Sequence, residues 1–471
     1  MQTLDPQAKD TISDFAIACN FYDPLVQTDY NQKVRPCLAR SWENPDALTW
    51  VFHLRRNVQF HDGTPMTAKD VAYSFHRVMS DPSMEMKEYI TNISDITVID
   101  PYTIKITTAY AANVFLQKLN FIMIIPANSN SATLNEHVNG TGAYKLRSWK
   151  KNESIEMIRN DRYFEEKPAL RNVVFELGRS PEESIRDLQS GRCQLVQCNS
   201  RSVEKQIHEG SDYELLFHDS LFIKYLGFDL ARDDTPHSSV HPNPFKKLEV
   251  RKAIDSAIDR TALTAKLSTF AVPASQPVPP FVFGYDPETK TSPYDINKAE
   301  ELLASAGYPS GFNVVLNTRK ILAATALLVK DDLAKIHIGV DVRVLSDPDW
   351  YAQVNDASFF ITRLGCPTGD ASDVLTMAIH SKENSRRLGT KNYEGYSNPE
   401  VDRLIEQSLA TGDNEKRGRT MQQLMRRVTE EVVWIPLYAD QEVYAINKMF
   451  SWHPRNDSYI LAEEISLRQT P

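Results

Sequence analysis

The sequence is short of glycine, short of cysteine and without an excess of positive charge, and each shortage removes a class of function. Of 471 residues only 17 are glycine. None of them builds Gly-x-Ser-x-Gly, Gly-x-Gly-x-x-Gly or a Walker A loop, so the signatures of an exposed serine nucleophile and of a phosphate cradle are missing. Five cysteines leave at least one thiol unpaired and are too few for a disulfide framework. The run Cys193-Gln-Leu-Val-Gln-Cys198 reads as a strand that points its two thiols to opposite faces, so no bridge between them is expected, and two thiols alone make no zinc site. Lys plus Arg number 53 against 62 Asp plus Glu, a net charge of −9, and no basic field is there to draw a nucleic acid partner. The longest apolar runs, 121–125 before Pro126 and 432–439 interrupted by Pro436, fall well below the ~20 residues of a membrane span, so a soluble chain is expected. Met1 leads into Thr3-Leu4-Asp5-Pro6 with no basic segment, apolar core or cleavage site. The expectation is either a cytoplasmic protein or one whose export signal has been removed.

What is present is an ordinary globular composition, 41% hydrophobic and 10% aromatic, too rich in aromatics for a disordered chain. The length corresponds to about three folding units at ~150 residues each. Leu48, Trp50, Phe52 and Leu54 alternate on one face of a half-buried strand. Thr67 stands three before Asp70, the spacing of a capping box, and Val71, Phe75, Val78 and Met79 follow at helical intervals. Segments 96–99 with 102–106, and 145–149 with 154–158, read as hairpins. After residue 160 strands and helices alternate (173–177, 181–191, 195–196, 225–228), which argues for an α/β layer. The stretch 233–244, rich in Pro, Ser and Asp, reads as a linker or hinge, and 273–280, with four of the 26 prolines, as a stiff extended loop. Val250, Ala253, Ile254, Ala257 and Ile258 share one helix face. Ala299, Leu302, Leu303 and Ala306 share another, stopped by Gly307 as a left-handed cap. Pro399 opens a helix carrying Val401, Leu404 and Ile405. Met421, Leu424, Met425, Val428 and Val432 form a stripe read as core rather than a cofactor box. A strand at 434–439 follows, with 442–446 as a second strand nearby.

Two polar clusters deserve weighing on their own chemistry. His237-Ser-Ser-Val-His241 sets two imidazoles four apart, but Pro236, Pro242 and Pro244 forbid the helix that would aim both at one metal, which favours a solvated loop. Gly369-Asp370-Ala-Ser-Asp373 offers two carboxylates that suit an acid/base pair, a cation anchor or a turn cap; taken alone, the turn cap is favoured.

The order of segments resembles a known family: the dipeptide, oligopeptide and nickel class (family 5) of extracellular solute-binding proteins that feed ABC importers. The resemblance runs almost from end to end. Leu4-Asp5-Pro6 and Tyr22-Asp-Pro-Leu-Val26 are similar to its opening. Pro36-Cys-Leu-Ala-Arg-Ser-Trp42, Leu48-Thr-Trp-Val-Phe-His-Leu-Arg55 and Phe60-His-Asp-Gly-Thr-Pro-Met-Thr-Ala-Lys-Asp-Val71 resemble its signature block. Asn139-Gly-Thr-Gly-Ala-Tyr144, Asn160-Asp-Arg-Tyr-Phe164, Val250-Arg-Lys-Ala-Ile254, Tyr294-Asp-Ile-Asn-Lys-Ala299, Gly395-Tyr-Ser-Asn-Pro-Glu-Val-Asp402 and Trp434-Ile-Pro-Leu-Tyr438 follow in the family order. The family usually has a strand ahead of the Leu-Asp-Pro element, where three residues stand here. Its peptide binders also carry Gly-Trp-x-Gly-Asp-x-Gly-Asp, whose first Asp takes the peptide ammonium. Here the run is Arg363-Leu-Gly-Cys-Pro-Thr-Gly-Asp370-Ala-Ser-Asp373, and that first acid falls on Pro367 or Thr368, which leaves Asp370 or Asp373 to substitute.

The resemblance implies an α/β, two-lobed periplasmic-binding-protein fold of type II, cluster C. Lobe I would be 1–248 with an extra subdomain at about 30–145, lobe II 249–437, and 438–471 a return to lobe I. It implies a binding protein rather than an enzyme, with no cofactor and no metal. A small ligand, most simply a short peptide, would be captured between the lobes and delivered to ABC permease subunits. The protein would act as a monomer in the periplasm or at the cell surface. Candidate ligand contacts are Asn20, Tyr22, Arg319, Trp350, Arg363, Asp370 and Asp373. Arg319 resembles the position that holds the ligand carboxylate, a task suited to a planar two-pronged donor. Trp350 would be either a cleft wall or lobe core. The alternatives are an opine-like conjugate or an oligosaccharide as ligand, a hydrolase using Asp370 and Asp373, or an intracellular ligand-sensing regulator on the same fold.

Overall fold

The alternating segment around Trp50 forms the strand Thr49–Leu54, and its buried side, Phe52 and Leu54, is where the first core begins. The protein is described by a computed structural model covering residues 3–9, 11–127, 129–198, 212–267 and 270–468. The chain divides into two units, residues 1–218 with 442–471 and residues 219–441.

In the first unit Thr49–Leu54 lies inside a four-stranded antiparallel sheet between Ala39–Asp46 and Thr103–Thr108, with Ile93–Asp100 beyond. The helix Ala68–Ser80 begins where the capping spacing places it: the Asp70 carboxylate accepts from Thr67 N–H at 2.8 Å. Its Val71, Phe75 and Val78 join Phe52, Ile104 and Ile106 in the core, each such side chain contributing about 1.5–3 kcal/mol on burial. The second expected hairpin forms, Tyr144–Lys150 with Ser154–Arg159, and Asn172–Glu176 adds a third antiparallel strand. That strand therefore belongs to a separate sheet and not to the α/β layer its spacing suggested. The segment 455–464 is fastened by Arg455, whose buried guanidinium donates to Thr28 O at 2.9 Å, Asp457 at 2.8 Å and Glu464 at 2.7 Å. That segment is thus held against the strand Val26–Thr28.

The second unit is built on a mixed sheet. Residues 222–228 of the long strand Tyr213–Phe228 pair antiparallel with Phe359–Gly365, which pairs parallel with Phe312–Arg319, itself parallel to Ile338–Leu345. The helix Ala323–Ala334 connects the last two as a βαβ unit. Alternation sorts the side chains of this sheet into two cores. Leu226, Phe228, Leu316, Phe359 and Ile361 meet the helices Leu248–Ala257, Ile296–Ser305 and Ala323–Ala334. Tyr225 and Phe360 face the other way, toward Trp350, Trp434 and the helices Pro399–Ala410 and Asn414–Glu430. The methionine stripe Met421, Leu424, Met425 and Val428 is core, as its spacing indicated.

Two elements depart from the sequence reading. Segments 434–439 and 442–446 form one strand, Trp434–Asn447. Its polar middle is paired sideways, Asp440 to Lys224 and Gln441 to Asp219 at 2.9 Å, so no turn interrupts it. The stretch 233–244 is not a linker: it lies inside the second unit, where Asn243 donates to Asp229 O and Arg232 O at 2.9 Å and Ser239 N–H donates to Asn313 O at 2.9 Å. The chain passes between units instead within the strands Tyr213–Phe228 and Trp434–Asn447.

Candidate functional site

In the first unit the loop after the helix Ile12–Ala18 carries Asn20 and Tyr22. Gly142 lets the two backbones meet, since a Cβ there would lie 2.5 Å from the carbonyl carbon of Phe21; its N–H donates to Phe21 O at 2.9 Å. Asn20 is buried and acts as a clasp. Its amide donates to Ile460 O at 3.3 Å, and its oxygen accepts from Ala462 N–H at 2.9 Å. Tyr22 is also buried, its hydroxyl makes no well-formed hydrogen bond, and burial pushes its pKa up, with nearby Asp5 adding to the shift.

Sequence reasoning passed over two acids beside them. Asp23 accepts from Thr141 Oγ1 at 2.6 Å and from Tyr163 OH at 3.2 Å, yet burial pushes its carboxyl up to about 6. Glu463 is pushed up to about 8, first by burial and then by Asp23. Asp23 stands within a motif already singled out. Nothing local marks Glu463, which is half-buried only because segment 459–464 packs by this loop.

In the second unit the structure brings Arg319 and Trp350 together. Arg319 ends the strand Phe312–Arg319, and its guanidinium lies 5.9 Å from the ring centres of both Trp350 and Tyr351. Its Nη1 is 3.8 Å from Asp347, and its buried Nε has no hydrogen-bond partner. Trp350 resolves to core: it is 1% exposed and meets Phe360 edge to face at 5.9 Å. Arg363, half-buried on the strand Phe359–Gly365, lies 4.9 Å over the ring of Phe222.

Asp370 and Asp373 hold their own loop. Asp370 accepts from Arg417 Nη2 at 2.6 Å and from Ser372 N–H at 3.0 Å. Asp373 accepts from Thr368 N–H at 3.0 Å and Thr368 Oγ1 at 2.6 Å. Both carboxylates cap the turn, and Asp370 is also charge-paired.

A further acid, Glu394, was missed. It is 1% exposed, and neither carboxyl oxygen has a hydrogen-bond partner. Burial pushes it up to about 8. Its position between Tyr393 and Gly395, among aromatics, is the signal the sequence offered; its burial could not be read from that.

The family described as bacterial extracellular solute-binding proteins, family 5 Middle, matches residues 33–386. The glutathione-binding protein GsiB of Escherichia coli is 29% identical over 471 residues, covering 95% of this chain and 88% of that protein. Among solved structures, the periplasmic binding protein DppA from Helicobacter pylori in complex with peptide STSA aligns with a TM-score of 0.86 at 24% identity, over 99% of this chain and 96% of that one. AgaA of A. tumefaciens in complex with agropinic acid aligns at 0.82 and 23% identity, over 100% and 97%. No described helix is long and apolar enough to cross a membrane. With residues 33–386 inside the family match and the fold shared from end to end, the protein belongs to the bacterial extracellular solute-binding proteins of family 5, two-lobed α/β binding proteins that capture substrates for ABC importers.

Proposed function

We propose that the substrate this protein captures is a short peptide, whose carboxylate is held by Arg319, and that it delivers that peptide as a monomer to ABC permease subunits from the periplasm or the cell surface. The observation that carries the reading is the state of Arg319. Its side chain is only 12% exposed, yet the acid beside it, Asp347, is 3.8 Å away and 71% exposed. Its Nε is unpartnered, and it lies 5.9 Å from the centres of two aromatic rings. A guanidinium held this way is pre-organised, with donor capacity in reserve for a carboxylate. The relative GsiB is named for glutathione, itself a peptide with free carboxylates.

The test is calorimetry with the tetrapeptide Ser-Thr-Ser-Ala, its C-terminal amide and glutathione. A charge-assisted contact at Arg319 is expected to make Arg319→Ala cost ~1.5–3 kcal/mol, roughly a ten- to hundredfold loss of affinity for the free acid. If wild type binds the amide as tightly as the acid, the carboxylate assignment is wrong. If it binds none of the three, the peptide reading fails.

A further inference from the structure

A peptide has a cationic end as well, and the two carboxylates nearest the family's ammonium position are occupied by Arg417 and Thr368. Glu394 is in the opposite condition. Its carboxyl is enclosed in the second unit with neither oxygen in a well-formed hydrogen bond, although its own backbone N–H and the Trp434 N–H lie close enough to favour the charged form; such an arrangement is costly unless a better partner arrives or the group stays neutral.

Its position relative to Arg319 follows from strand register. Gly227 pairs with Phe360, and Phe360 pairs with Asn317, two residues before Arg319. These positions therefore share one face of the sheet. Glu394 lies over that face: a Cβ on Gly227 would stand 2.6 Å from its Oε1 and 2.3 Å from the Phe360 ring, so the glycine makes the room the carboxyl occupies. Glu394 and Arg319 both act on Tyr225, Glu394 raising and Arg319 lowering the pKa of its hydroxyl. Tyr225 stacks on Trp434 at 3.9 Å, and Phe360 meets Tyr225 at 6.3 Å and Tyr393 at 6.2 Å. The buried Asn317 Oδ1 and Trp434 Nε1 on this side also lack hydrogen-bond partners. Aromatic faces around an acid favour a cation.

We propose that Glu394 is the anchor for the ligand's ammonium group, placed on the same sheet face as the guanidinium that takes its carboxylate. This rests on the peptide reading above. Glu394 stands in an irregular segment ahead of the helix Pro399–Ala410, and its carboxyl gives up its proton as it meets the ammonium group. The proton goes to solvent, and the carboxylate gains an ammonium partner. The charged or titratable groups acting on it or on its neighbour Tyr225 are Tyr225, Tyr393, Lys382 and Arg319, and the Trp434 N–H lies near enough to lower its pKa.

The experiment is calorimetry of wild type and Glu394→Gln with Ser-Thr-Ser-Ala and its N-acetyl form, at about pH 6.5 in buffers of differing ionisation enthalpy. Wild type should release close to one proton per free-amine peptide, bind it roughly 10- to 100-fold more tightly than the acetylated form, and gain affinity as pH rises toward about 7.5. Glu394→Gln, neutral like the acid it replaces, should fold, release no proton and bind both forms alike. Peptide binding by wild type with no preference for the free amine, or a preference retained in Glu394→Gln, overturns the assignment while leaving the peptide reading intact. Should the variant misfold, proton release by wild type carries the test: free-amine peptide bound without release of a proton overturns the assignment. Failure of wild type to bind either form or glutathione overturns the peptide reading and this assignment with it.

Discussion

Replacing Asp370 by asparagine removes one charge from a buried pair and leaves the shape of the loop unchanged. The Asp370 and Arg417 side chains are 6% and 4% exposed and 2.6 Å apart, so solvent screens the pair very little. Asparagine can still accept from Ser372 N–H, and Arg417 keeps its place 4.9 Å over Phe283; the loss is that of charge compensation. Leaving one member of such a pair uncompensated costs ~3–5 kcal/mol. At roughly 2–4 °C per kcal/mol for a unit of this size, the melting temperature should fall by about 6–20 °C. Thermal melting followed by circular dichroism measures this directly. Adding Arg417→Met should restore most of the loss, since an apolar replacement of both partners is close to neutral. An Asp370→Asn protein that melts with wild type but loses its affinity for free-amine peptides would refute the reasoning and make Asp370 a ligand contact instead of an internal brace.

Other consequences follow from one half-buried acid and from one close approach. Glu463, raised to about 8 in the folded protein, binds a proton that the unfolded chain releases near its ordinary value of about 4.3, so its contribution to stability is present at low pH and is lost as pH climbs through that interval. Glu463→Gln should therefore gain on wild type steadily in melting temperature from about pH 5 to pH 8, and parallel pH profiles would show that the carboxyl is solvated. Gly227→Ala should destabilise by about 1–3 kcal/mol through overpacking, because its methyl meets Phe360 and Glu394; an unchanged denaturant midpoint would show that both side chains yield without cost.

The parts of the fold that could be read beforehand are those in which local chemistry and tertiary packing agree. The capping pair Thr67 and Asp70, the proline opening the helix Pro399–Ala410 and the left-handed Gly307 after Ile296–Ser305 each satisfy their own backbone, and the structure keeps all three. Where the outcome depends on a distant partner, the local pattern misleads. Asp440 and Gln441 look like a break between two strands, but Lys224 and Asp219 pair with them and the strand continues. The prolines of 233–244 suggest a free linker, but Asn243 and Ser239 bond the segment to the second unit.

The candidate site divides along the same line. Arg319 and Trp350 were named separately, and the structure sets them in contact, the indole in the core and the guanidinium over it. Asp370 and Asp373 were named for their charge, but charge in a sequence does not show whether a carboxylate is already compensated. Arg417, far along the chain, compensates one, and the Thr368 hydroxyl and N–H satisfy the other. Glu394 shows the reverse: it looks like a solvated loop acid, and its burial against Gly227 and Phe360 appears only once the strands are in register. For a binding protein this difference matters more than proximity. A satisfied buried acid has little to gain from a ligand cation, because the new bond must replace one already made. An unsatisfied one breaks no such bond; it gives up a proton, and the ion pair it gains has only that cost to exceed. On that ground Asp370 and Asp373, each already bracing its own loop, have less to gain from a ligand ammonium than the Glu394 carboxyl proposed as its anchor.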